Sequence, residues 1–254
     1  MRRKNLVVMG CFVGVLLLVL PALLQADVFY KMQIKTDAYE IMGQKHPAEE
    51  HVVSVWLAKG KAYMDMDTAA VLVDGEKEIM YMINHSNKSY LEMPMGGPAE
   101  MAEAMGAEGD EDQTAAMKEM MKNMAGTMKF TVTPTDESKK IGEYKCKKYL
   151  GDLNAMMAVV KMEIWATEDI DIDMSLYYQM SSAAMDSFPG YEKLLKEWEK
   201  IKRFPVLTTN TTEVVGTTQK TTSELIELTE KDAPKGTYDL PKGYKKTEMP
   251  GGKM

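Results

Sequence analysis

The chain has 254 residues, and its 31 Lys and Arg against 38 Asp and Glu leave a formal charge of −7. So acidic a chain lacks the cationic footprint that neutralises phosphates, which excludes nucleic acid and argues against docking on an anionic membrane surface. The length suits one domain with a sizeable core, and two cysteines, Cys11 and Cys146, are too few for a disulfide framework.

In chain order, the basic start MRRKN, an apolar run over 6–20 and ALLQA after Pro21 form the layout of a secretory signal peptide over 1–26, with cleavage after Ala26. An uncleaved anchor is the rival reading, because 6–24 approaches the roughly 20 residues needed to cross a bilayer. Cleavage would leave Cys146 as the lone thiol, which in an oxidising compartment is safest buried.

Residues 27–94 alternate with the period of strands. VFYKMQIKT (28–36), EEHVVSVWLA (49–58), KAYMDMD (61–67), AAVLV (69–73), KEIMYMINH (77–85) and KSYLEM (88–93) read as six strands of an antiparallel meander. Turn residues separate them at Gly60-Lys61, Asp74-Gly75 and Asn84 to Asn87. The period then changes to 3.6, and a helical insert is predicted at about 97–126. Pro98 opens one helix, the acidic GAEGDEDQ (106–113) connects, and a second helix runs from Thr114 to Met124 before Gly126.

Strands return at MKFTVTPT (128–135), EYKCKKYL (143–150) and AVVKMEIWAT (158–167), the last with Val160, Met162, Ile164 and Ala166 on one face. Helices are predicted over 171–185 and 191–201, with Pro205 closing the second. A threonine-rich strand pair, 206–215 and 217–229, leads to a tail with turns at its prolines. The sum is an α+β protein built on one large antiparallel sheet, a single domain over 27–248 followed by a flexible tail over 249–254.

IGEYKCKKY (141–149), MEIWATEDI (162–170), FPV (204–206) and APKGTYDLPKGYKK (233–246), with NKSYLEMP (87–94), resemble the pattern of a bacterial exported family known as domain of unknown function 4412. The resemblance implies a fold like that of the LolA and LolB lipoprotein carriers: a large curved antiparallel sheet, an incomplete β-barrel, with helices covering its concave side over an apolar groove. It also implies the periplasm of a Gram-negative cell envelope.

Enzyme chemistry finds no foothold. His46, His51 and His85 have no metal spacing, and no phosphate loop or nucleophile motif is present, so a non-enzymatic protein without a cofactor is expected. Methionine is the outlier at 25 residues. Met117, Met120, Met121, Met124 and Met128 form one stripe on a helix, which suits an adaptable lid. The expected ligand site joins Met117, Met120, Met121 and Met124 of this lid to Val160, Met162 and Ile164 of the groove, holding a lipid, acyl chain or lipopeptide.

Two alternatives stay open. Thioethers select Cu(I), and Met120, Met121 and Met124, or the pairs Met64-x-Met66, Met80-x-Met82 and Met93-x-Met95, could supply them. The chain could instead be an envelope module that binds another protein.

Overall fold

A computed structural model describes residues 26–95, 119, 128–155, 158–170, 172, 191–201, 203–214 and 216–247. The first block holds β1 (Val28–Thr36), β2 (Tyr39–Ile41), β3 (Gln44–His46), β4 (Glu49–Ala58), β5 (Lys61–Asp65), β6 (Ala69–Asp74), β7 (Ile79–Asn84) and β8 (Ser89–Pro94). Then follow β9 (Lys129–Ile141), β10 (Tyr144–Ala155), β11 (Ala158–Thr167), the helix α1 (Tyr191–Trp198), β12 (Phe204–Val214), β13 (Thr217–Glu230) and β14 (Lys245–Thr247).

Twelve of these strands form one sheet in the order β14-β8-β7-β6-β5-β4-β1-β13-β12-β11-β10-β9, while β2 and β3 pair separately as a hairpin. Neighbours are antiparallel except β14, which lies parallel to β8. With β14 and β9 at opposite edges and unpaired with each other, the sheet is open. The meander expected over the first strands is present as β4 to β8, with β1 beside β4.

The α+β class with helices over a concave face is overturned. The described residues are nearly all β, with α1 their one regular helix, and α1 packs at the β9 edge rather than over the body of the sheet. Two physical reasons account for this. The hairpin β9–β10 and the pair β12–β13 run long, so threonine-rich and β-branched text that could have ended early stays in the ladder. The covering elsewhere is coil: Tyr238, Leu240 and Tyr244 of the tail pack on Ala70, Leu72, Tyr81 and Ile83. A segment carrying Pro234, Gly236, Pro241 and Gly243 cannot be helical, yet it can drape over a sheet. Apart from Glu119 and Ile172, the helices predicted at 98–105, 114–124 and 171–185 lie outside the described residues, as does the leader apart from Ala26.

The core divides along the sheet. On one face of β1, β4, β5, β6 and β7, Tyr30, Val55, Leu57, Ala62, Val73 and Met80 are buried, joined by Phe204, Val206 and Leu225. At the other end of the sheet Phe130, Val132, Tyr149, Ile164 and Ala166 pack with Ile201 and with Leu194 and Trp198 of α1. The Glu197 carboxylate accepts the Val132 N–H at 2.7 Å, so α1 also occupies a backbone donor of the edge strand β9.

A methionine-bearing sheet face as candidate binding site

Strand side chains alternate, so both members of each M-x-M pair project to one face. The registers decide whether the pairs share that face. Met32 pairs with Val53, and Tyr30 with Val55; Val55 pairs with Met64; Met64 pairs with Val71; Val71 pairs with Met82 and Val73 with Met80; Met80 pairs with Met93. On the far side Met162 pairs with Asn210, Asn210 with Thr221, and Thr221 with Thr36, which shares the face of Met32. Met32, Met64, Met80, Met82, Met93 and Met162 therefore lie on one sheet face, and Met66 and Met95, each two residues beyond a member, continue it.

That face grades from core to surface. Met80 is buried, Met64, Met66, Met93 and Met95 are half-buried against the core, and Met82 is 47% exposed. Unbranched, polarizable side chains fill irregular space and repack at small cost, so such a surface can accept apolar guests of varied shape. The opposite face is aromatic: Tyr63, Tyr81 and Tyr90 meet the tail, and a pocket of about 290 Å³ there is lined by Tyr63, Gly236, Thr237, Asp239, Leu240, Pro241 and Lys242.

Of the residues expected at the ligand site, Val160, Met162 and Ile164 stand together on β11. Ile164 is buried in the cluster that α1 joins, and Met162 and Leu153 are half-buried against it. A Cβ on Gly151 would sit 3.2 Å from Met162 Cβ and 3.3 Å from its Sδ, so Met162 fills the space that this glycine leaves. Met117, Met120, Met121 and Met124, and with them the copper alternative at Met120, Met121 and Met124, lie outside the described residues. Asn210, which opens an N-x-[ST] match in the sequence, is the cross-strand partner of Met162.

Several titratable groups have defined partners. Cys146 is buried, its Sγ donates to the Tyr144 carbonyl at 3.8 Å, and burial above all pushes its thiol up, away from thiolate chemistry. His85 Nδ1 is 2.9 Å from the Tyr244 hydroxyl, and His46 stacks on Tyr39 with centroids 4.6 Å apart. Among the described residues no three His, Cys, Asp or Glu side chains come together as a metal site, and no helix is long and apolar enough to cross a membrane.

Residues 41–244 match the sequence profile of domain of unknown function 4412 (DUF4412). The chain belongs to that family. DUF4412 is thus, in this member, a domain built on a nearly all-β open sheet, and the motifs quoted from 87–94, 141–149, 162–170 and 204–206 fall wholly inside the match. No curated protein matches the chain. Among solved structures, one described as "Structure of PNGF-II in C2 space group" aligns at 10% identity with a TM-score of 0.36. The alignment covers 87% of this chain and 31% of that one, so the chain spans under a third of the structure it aligns with. This likeness says nothing about function.

Proposed function

We propose that this DUF4412 protein is an exported, non-enzymatic binding protein of the periplasm that holds an acyl chain, as part of a lipid or lipopeptide, on its methionine-bearing face. The observation that carries the reading is the segregation of methionine: every methionine in the strands of the large sheet shares one face. The aromatic face is closed by a tail that belongs to the fold. The methionine face offers Met82, Met93 and Met95 with part of their surface open. Each acyl CH₂ buried there is worth about 0.8 kcal/mol, so affinity needs little polar recognition. A carrier resembling LolA and LolB in role, though not in its helical cover, is the implied biology.

The test is organic extraction and mass spectrometry of protein purified without detergent from its native compartment, together with uptake of a fluorescent acyl probe. Bound lipid or saturable uptake is expected, with uptake reduced several-fold by Met82→Asp at the exposed end of the face. Protein that yields no lipid and takes up no probe refutes the reading.

One observation favours a second reading. Met80 and Met93 are direct cross-strand partners, which sets their Cβ atoms about 5 Å apart, with Met82 and Met95 beside them on the same face. Clustered thioethers of this kind suit Cu(I). Anaerobic titration against a Cu(I) competitor should then show binding that Met80→Leu with Met93→Leu removes; binding unchanged by both substitutions excludes this site.

A further inference from the structure

Strand β9 forms one edge of the large sheet, and α1 protects only part of it, through the bond from the Val132 N–H to Glu197. Past Pro134 and an irregularity in the pairing with β10, that edge continues to Ile141. The partners of Lys145 show how the backbone is turned there. Its N–H donates to Asp169 Oδ2 at 2.9 Å and its carbonyl accepts the Thr167 hydroxyl at 2.9 Å, so both groups point toward β11. Lys140, directly opposite Lys145, therefore turns its own N–H and C=O away from β10, and Ser138, opposite Lys147, does the same. Among the described residues no backbone group bonds either of them from the open side.

This stretch of edge is basic. Lys140, Lys145 and Lys147 lie on one face, are exposed, and make no ion pair among the described residues. Lys148 differs, being paired with Glu137 and Glu163, and Lys139 lies over the Trp165 ring on the other face. Like charges directly opposite one another in a sheet are destabilising, so the Lys140–Lys145 pair costs the fold something. Lysine on an edge discourages association of sheets, yet Lys145 and Lys147 belong to β10, which is paired on both sides and has no edge to guard. A local surplus of positive charge in a chain of formal charge −7 is complementary to an anionic partner. The outward backbone groups match an extended strand. A second copy would set lysine against lysine along this edge, and an anionic membrane repels so acidic a chain as a whole.

We infer that the edge of β9 from Ser138 to Ile141 takes up an extended acidic segment of another protein as an added strand, its backbone bonded to Ser138 and Lys140 and its carboxylates set among Lys140, Lys145 and Lys147. Such docking is independent of acyl binding.

A short fluorescent peptide alternating threonine and glutamate is titrated against detergent-free protein by anisotropy, beside its lysine counterpart, versions N-methylated at alternate residues, and vesicles containing an anionic phospholipid. Saturable binding of the acidic peptide alone is expected. N-methylation in the one register that faces β9 should weaken it about fivefold, through lost main-chain bonds. Lys140→Glu should weaken it at least about fivefold, yet melt no lower than the wild type, because it sets opposite charges across from Lys145. Lys147→Glu repeats the affinity measurement at a position away from the edge. A lysine that serves only the fold would leave the affinity unmoved. No saturable binding of the acidic peptide, affinity indifferent to N-methylation in both registers or to both substitutions, or binding to the vesicles without binding to the peptide overturns the assignment.

Discussion

Asp74 offers the sharpest test of the electrostatics in this sheet. Its side chain is buried, yet it lies 2.8 Å from Lys77 Nζ and 3.7 Å from Lys61 Nζ, and its Oδ1 accepts the Lys77 backbone N–H at 3.3 Å. The Lys77 ammonium, then that backbone N–H and the Lys61 charge, hold the carboxyl below its usual range, while burial works in the other direction. Asp74→Asn keeps the shape and an acceptor for the backbone N–H but removes the charge. Because Lys77 is largely exposed and stays hydrated without its partner, the loss sits near the lower end for hydrogen bonds to charged groups, about 1–2 kcal/mol. For a domain of this size that is about 2–8 °C in Tm.

The sign with pH follows from the direction of the shift. A carboxyl whose folded pKa is depressed contributes stability that is complete above the unfolded value of about 3.9 and is lost as pH falls through the lower folded value. The melting gap between wild type and Asp74→Asn, followed by circular dichroism, should be full at pH 7 and close well below pH ~3.9. A gap equal at both ends of that range, or a variant more stable than wild type at pH 7, would refute the reasoning.

Other substitutions test single contacts. Tyr244→Phe removes the bond to His85 and should cost about 0.5–1.5 kcal/mol in chemical denaturation. Gly151→Ala should cost about 1–3 kcal/mol in chemical denaturation because Met162 Cβ, fixed to the backbone, cannot swing away as its sulfur can. In a chain starting at Asp27, Cys146 should react with an aromatic disulfide reagent orders of magnitude more slowly when folded than in denaturant at pH 8, since burial both covers the thiol and keeps it protonated.

Period-2 text made much of the fold legible. The expected strands at 28–36, 49–58 and 158–167 coincide with β1, β4 and β11, and the helix expected at 191–201 is present as the shorter α1. β9 and β10 run past the expected ends at 135 and 150, to Ile141 and Ala155. Pro134 is tolerated on the edge strand, and Gly151 stays in the ladder because Met162 occupies its missing side chain. The hairpin β2–β3 was illegible because it turns at Met42 and Gly43, with φ of 51° and 80°, where a turn of left-handed residues usually announces itself with Asn-Gly or Asp-Gly. The tail's covering role was hidden because it joins residues 238–244 to 63–90, a contact with no local signature. At the site, the M-x-M spacing already put each pair on one face. That the pairs share a face follows only from strand order and register.

The two faces of the β5–β8 region are covered by different chemistry, and the difference bears on use. The aromatic face is held by fixed partners: Tyr81 and Tyr90 meet edge to face at 6.0 Å, Tyr244 bonds His85, and the Lys245 N–H donates to the Lys88 carbonyl as β14 joins the sheet. Directional contacts of that kind define one arrangement and resist exchange. The other face could have been built from leucine, isoleucine and phenylalanine, which specify a core more sharply, yet β5, β7 and β8 place methionine there. A thioether on three rotatable bonds sacrifices that definition for the ability to repack around whatever lies on it. Within one sheet the sequence thus uses rigid aromatic packing where the cover is its own tail and adaptable packing on the reverse. Under the acyl-binding proposal the contrast has a use, because a guest that enters and leaves needs a surface that repacks around it.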